Sequence, residues 1–151
     1  MPQSLAKVIV HSTFSTKGRV PILQDATLRR ELYAYLATVL KNLDSPALTI
    51  GGVADHIHVL NALARTKTIA EMIEEAKTST SKWLKTKAPS LRDFHWQNGY
   101  GIFSVSESKL PDVRRYIENQ EEHHRTLTFQ DEFRALCQRH GVQIDERYAW
   151  D

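Results

Sequence analysis

The chain has 151 residues, 41% of them hydrophobic and 25% charged, with a formal net charge of +2. This is the composition of one ordinary globular domain, spanning 1–151, mildly basic and so permissive of an anionic partner without requiring one. No run approaches the ~18 apolar residues of a membrane span. The N-terminus lacks a basic segment followed by a greasy one, which excludes a signal peptide, and a single cysteine, Cys137, excludes an internal disulfide and a cysteine-rich zinc site, so a reducing cytoplasm fits.

The segment 5–14 (LAKVIVHSTF) is β-branched and reads as a first strand, followed by a loop through Lys17, Gly18, Arg19 and Pro21. Leu28, Leu32, Leu36, Val39, Leu40 and Leu43 step at helical spacing, and Asp25 stands where a cap belongs. Residues 47–63 divide into two short strands around Ala54-Asp55. Thr68-Ile69-Ala70-Glu71 is a capping box, and Ile69, Met72, Ile73, Ala76, Trp83 and Leu84 make the stripe of a second helix. The stretch 94–105 (FHWQNGYGIFSV) is aromatic, glycine-interrupted and strand-like. Pro111 suits the first turn of a third helix with Val113, Tyr116, Ile117 and Gln120 on one face. Thr128 opens a last short helix carrying Phe129, Phe133 and Leu136 and ending near Gly141, with Cys137 packed on it.

The order β-α-β-β-α-β-α-α predicts an α+β fold of the ferredoxin-like (split β-α-β) plan: an antiparallel sheet with helices on one face. A core at about 5–125 would carry a C-terminal helix and tail at about 126–151. In that plan Ile57 and Val59 face the helices. His56 and His58, two residues apart on a strand and so on one face at ~7 Å, look out from the open face unless a second subunit covers it. Two neutral imidazoles there are half of a divalent-metal site, or else half-exposed polar residues of a sheet.

Sixty residues further on, Tyr116 and Gln120 stand one above the other on a helix. A phenol can act as a covalent nucleophile, and an amide carbonyl is a hard oxygen ligand suited to Mg²⁺ or Mn²⁺. Alone, Tyr116 reads as a core tyrosine. With the histidine pair, it is part of a pattern that resembles the single-tyrosine transposases of small bacterial insertion sequences. These are a branch of the HUH (histidine, hydrophobic, histidine) nucleases that includes the REP-associated tyrosine transposases. The resemblance covers nearly the whole chain, through DHIHVL at 55–60, WQNGYGIFSVS at 96–106, YIENQEEHH at 116–124 and the closing DERYAW.

The resemblance implies that His56, His58 and Gln120 hold Mg²⁺ or Mn²⁺. It implies that Tyr116 attacks a DNA phosphodiester to leave a 5′-phosphotyrosine and a free 3′-OH. It also implies single-stranded hairpin DNA as substrate, and a homodimer whose active sites can be completed in trans. Between Ala76 and Arg92 five basic residues (Lys77, Lys82, Lys85, Lys87, Arg92) stand without an acidic one, either a phosphate-binding stripe or a solvated helix face. Trp96, Tyr100 and Phe103 either stack bases or fill the core. His123 and His124 are at most peripheral to the metal, and His11, His95 and His140 read as structural.

Rival readings are a rolling-circle initiator or relaxase, which the short chain disfavours, and a non-catalytic or domesticated protein binding chromosomal palindromic repeats. Zinc hydrolysis finds no H-E-x-x-H helix.

Overall fold

A computed structural model describes residues 2–151. Four strands, β1 (Ile9–Ser15), β2 (Ala47–Val53), β3 (His56–Ala62) and β4 (Gly101–Val105), form an antiparallel sheet in the order β2-β3-β1-β4. Two long helices, α1 (Ala26–Asn42) and α2 (Ile69–Lys85), connect β1 to β2 and β3 to β4. That is the split β-α-β arrangement expected from the element order. Both helix starts are written in the local sequence. The Asp25 side chain accepts from the Thr27 and Leu28 amides, and Thr68 and Glu71 form the reciprocal capping box.

Strand alternation divides the sheet's side chains cleanly. Val10, Phe14, Ile57 and Val59 pack with Leu32, Leu36 and Leu40 of α1 and Met72, Ile73, Ala76 and Leu84 of α2. The other face carries His11, His56 and His58, but also Ile9, Leu60, Phe103 and Val105, and those apolar residues demand a cover. Three C-terminal helices provide it: α3 (Leu110–Glu118), α4 (Gln120–His123) and α5 (Phe129–Arg139). The histidine face is therefore not open, and the chain itself closes it. His56 and His58 are each 0% exposed.

Several boundaries differ from expectation. The first strand begins only at Ile9; residues 5–8 lie exposed, and Val8 is tied to the neighbouring segment only through its carbonyl, which accepts from the Leu63 amide at 2.8 Å. Of the 94–105 stretch only Gly101–Val105 is strand. Phe94 and Trp96 leave the ladder to wedge into the core, with Trp96 keeping a lone bridge to Thr16. Ile69 stays 40% exposed at the start of α2 instead of joining its buried stripe. The third helix breaks at Asn119 (φ −103°, ψ 25°), so Tyr116 lies in the last turn of α3 while Gln120 starts the single turn of α4.

The approach of α3 to β2 is close because β2 carries Gly51. A Cβ built there would lie 2.4 Å from the Ile117 carbonyl oxygen, a backbone atom that cannot swing aside. We expect Gly51→Ala to push α3 away from the sheet, lowering stability by about 1–3 kcal/mol in a denaturant titration. The same shift would displace Tyr116, the neighbour of Ile117.

Candidate metal centre and nucleophile

Strand β3 places His56 and His58 side by side, with ring centroids 5.2 Å apart. Each ring is anchored through Nδ1. His56 Nδ1 donates to Asp55 Oδ1 at 2.7 Å, and His58 Nδ1 lies 2.7 Å from Nε2 of His11 on the adjacent strand β1. A third imidazole joins from beyond α4. His124 Nδ1 donates to the Leu127 carbonyl at 2.6 Å and turns its Nε2 inward. Opposite all three stands Glu132 of α5, 1% exposed. Its Oε1 is 3.1 Å from His56 Nε2, 2.9 Å from His58 Nε2 and 3.1 Å from His124 Nε2. The ligand atoms of these four residues all lie within 4.8 Å of one another.

The tyrosine reaches the same centre within one chain. Tyr116 Oη donates to Glu132 Oε2, and its ring stands edge-on to His58 at 5.8 Å. Gln120 bridges the two halves: its Oε1 is 3.2 Å from His56 Nε2 and its Nε2 donates to Glu132 Oε2 at 3.0 Å. The helix break at Asn119 does not separate the pair, since Gln120 Nε2 also donates to the Tyr116 carbonyl at 3.4 Å.

Buried charges set the electrostatics. Burial opposes ionisation of Glu132, but the three imidazoles of His124, His56 and His58 facing it outweigh burial and hold the carboxyl far below the usual range. Burial also opposes charge on His56, yet its partners Asp55 and Glu132 push the ring up to about 9. Burial prevails at His58, which is shifted down and stays neutral, and at His11, lowered to about 3 with help from His58. Tyr116 is shifted upward by burial and then by the Glu132 charge, so the phenol keeps its proton at neutral pH.

The residues fit a divalent cation. Nδ1 anchoring to a carboxylate, a backbone carbonyl or a neighbouring ring is how metal-binding imidazoles are oriented, and it leaves each Nε2 to face the centre. One of those atoms has no other use: His124 Nε2 is buried without a hydrogen-bond partner, its approach to Glu132 lying off a bonding direction.

Two clefts flank the cluster. One of about 610 Å³ is lined by Arg19, Arg29, Asp55, His124 and Arg125. Another of about 650 Å³ reaches His11 and Tyr116 past Lys109, Arg139 and His140. The basic stripe of α2 lies on the opposite face of the sheet. Lys77, Lys82 and Lys85 line a groove of about 460 Å³ with Thr78, Ser81 and Tyr100. Within it Lys77 turns inward, its Nζ donating to the carbonyls of Gln97, Asn98 and Gly99, and burial lowers it to about 8. Lys87 pairs with Glu31 at 3.3 Å, and Arg92 is exposed. Trp96 and Phe103 are core residues, Trp96 donating to Thr80 Oγ1 and Phe103 stacking on His140; Tyr100 alone of the three is exposed.

Sequence reasoning brings His56, His58, Tyr116 and Gln120 together and misses two residues of the same cluster. His124, expected to be peripheral, is central, and Glu132 carries no expectation at all. One signal is available for the second: Glu132 sits between Phe129, Phe133 and Leu136, on the apolar stripe of α5, where a charge requires a partner. His11, read as merely structural, supports His58.

Fold and site together define a protein of the HUH type, a split β-α-β sheet with a histidine pair on a central strand and a tyrosine on a following helix. The family model described as "Transposase IS200 like" matches residues 4–120, and the chain belongs to that family. It is accordingly a transposase, a DNA-processing enzyme. No curated protein sequence matches it. Among solved structures it is similar to a candidate transposase from Deinococcus radiodurans R1, with a TM-score of 0.62 at 21% identity over 80% of this chain and 95% of that one. It is also similar to a REP-associated tyrosine transposase bound to a REP hairpin, with a TM-score of 0.59 at 14% identity over 82% and 73%. At these identities the two structures speak for the fold. No helix among the described residues is long and apolar enough to cross a membrane.

Proposed function

We propose that the protein cleaves and rejoins single-stranded DNA at hairpin-bearing ends, in the bacterial cytoplasm, with Tyr116 as nucleophile and His56, His58 and Gln120 holding Mg²⁺ or Mn²⁺. The observation that carries this reading is the meeting of Tyr116, Gln120 and both histidines around one buried point. A cation bound there supplies Lewis-acid polarisation of the scissile phosphate. The phenolic oxygen forms its bond to phosphorus as the bond to the 3′ oxygen breaks, and the phenol's proton is returned to that oxygen. A 5′-phosphotyrosine and a free 3′-hydroxyl result. The tyrosyl ester keeps the bond energy for rejoining, which transposition needs and hydrolysis would discard.

The clefts beside His124 and Tyr116, bordered by arginine and lysine, suit the path of a single strand into a buried site. The solved relative bound to a REP hairpin supports a hairpin ligand, and with it the second reading, action on palindromic repeats dispersed in a chromosome. Homodimerisation would hold two ends for exchange. One chain already contains both tyrosine and histidines, so the site need not be completed in trans; a monomer by light scattering at micromolar concentration would count against paired ends.

The test is incubation with labelled single-stranded hairpin DNA and Mg²⁺ or Mn²⁺. An adduct surviving a denaturing gel is expected, and its absence across hairpins from both ends of the gene's locus would sink the reading.

Affinity should come mainly from the α2 groove, with Lys82, Lys85 and Arg92 on phosphates, Lys77 ordering the 97–99 loop and Lys87 adding charge beside Glu31. Reversing Lys82 and Lys85 to glutamate should weaken hairpin binding. It should also flatten the log–log salt dependence by about 0.7 for each phosphate no longer neutralised. An unchanged slope would remove the groove from the interface.

A further inference from the structure

We infer that His124 and Glu132 are protein ligands of the metal, which makes the centre a three-imidazole, one-carboxylate site that takes a first-row transition ion such as Mn²⁺ in preference to Mg²⁺. The inference rests on the reading of the site as a metal centre and extends it to residues outside the histidine pair and Gln120.

Donor atoms and their directions point to this ligand set. Three Nε2 atoms converge on a single carboxylate oxygen at 2.9–3.1 Å. Each ring is fixed from behind, by Asp55, by His11 and by the Leu127 carbonyl, so the convergence is built by the surrounding chain. Hydrogen bonding alone leaves this set unsatisfied. One carboxylate oxygen cannot accept well from three imidazoles at once, and His124 Nε2 is buried with no hydrogen-bond partner. A cation drawing on all three nitrogens and on Glu132 gives every inward atom a use.

Donor identity then decides the metal. Imidazole nitrogen suits the later first-row ions, whereas Mg²⁺ takes oxygen ligands and keeps several waters. A buried centre with three nitrogens is poor in what Mg²⁺ requires. Glu132 also ties the metal to the nucleophile: Oε1 faces the imidazoles while Oε2 accepts from Tyr116 Oη and from Gln120. Its carboxylate thus holds the phenol at a fixed distance from the ion, with Gln120 as a neighbouring oxygen donor.

The measurement is Mn²⁺ binding to the full-length protein, without DNA, by equilibrium dialysis and by the loss of the free-ion electron paramagnetic resonance signal. Wild type is expected to bind one Mn²⁺ per chain, and an equal concentration of Mg²⁺ should not displace it. His124→Ala and Glu132→Gln should each weaken Mn²⁺ binding by more than about tenfold, the least that loss of a residue supporting a metal ligand costs. Circular dichroism checks folding. Should Glu132→Gln fail to fold, His124→Ala, at a half-buried position, decides alone. Unchanged Mn²⁺ affinity in the folded variants overturns the inference. Tighter binding by Glu132→Gln also overturns it, because the carboxylate would then be competing with the ion. A wild type that forms the DNA adduct while both variants bind Mn²⁺ normally leaves the nuclease reading standing without this one. Binding that depends on these residues in a protein forming no adduct does the reverse.

Discussion

Tyr116→Phe is expected to fold, bind hairpin DNA and form no covalent adduct at all. The substitution removes one oxygen and leaves a ring that packs against His58 and His123, with centroids at 5.8 Å and 4.8 Å. Stability should fall by about 1.5–3 kcal/mol, because the hydrogen bond removed runs to an ionised carboxylate. Glu132 keeps its bonds with Gln120 and the histidines, so the cluster should hold its shape. DNA affinity should be unchanged within error, since the α2 groove lies across the sheet from the phenol. A denaturing gel with labelled hairpin reads the first outcome and a filter-binding titration the second. An adduct of undiminished yield would remove Tyr116 from its role.

His56→Ala and His58→Ala should each cut cleavage by more than about a hundredfold, beyond what loss of a supporting partner costs a metal site, while hairpin binding survives. Both rings are fully buried, so each truncation also leaves a cavity and strips a donor from Glu132. A stability loss of about 2–5 kcal/mol is expected on that account. Circular dichroism must therefore accompany the cleavage assay. Separation of the two activities is the informative result, because phosphate contacts, which supply most affinity, lie elsewhere. Normal cleavage by both variants in chelator-treated buffer would exclude the metal mechanism.

The sheet and its two long helices are legible because each is written locally, through strand alternation at 56–62, helical spacing from Leu28 to Leu43 and the caps at Asp25 and Thr68. The histidine pair is legible for the same reason: two residues on one strand share a face whatever else the chain does. Glu132 is not, since it meets His58 across 74 positions of sequence. In isolation an acidic residue in the first turn of a helix reads as a favourable charge at the helix N-terminus. Only its place on the apolar stripe of α5 betrays burial. The covering of the histidine face follows similar logic. Ile9, Leu60, Phe103 and Val105 alternate onto that face, so its apolar character is present in the sequence, but which helices answer it depends on the turn at Asn119 and the long return to α5. No proline or glycine marks that turn.

The mechanism turns on one particular phenol carrying the DNA. The chain has five tyrosines, two of them among its exposed large side chains, Tyr100 at 36% and Tyr148 at 67%. Tryptic digestion of the gel-purified adduct, followed by nuclease trimming and tandem mass spectrometry, locates the attachment. The expected result is a nucleotide 5′-phosphate on the peptide at 116–125, YIENQEEHHR, at its first residue. Attachment at Tyr100 or Tyr148, or a phosphate joined through its 3′ side, would contradict the mechanism.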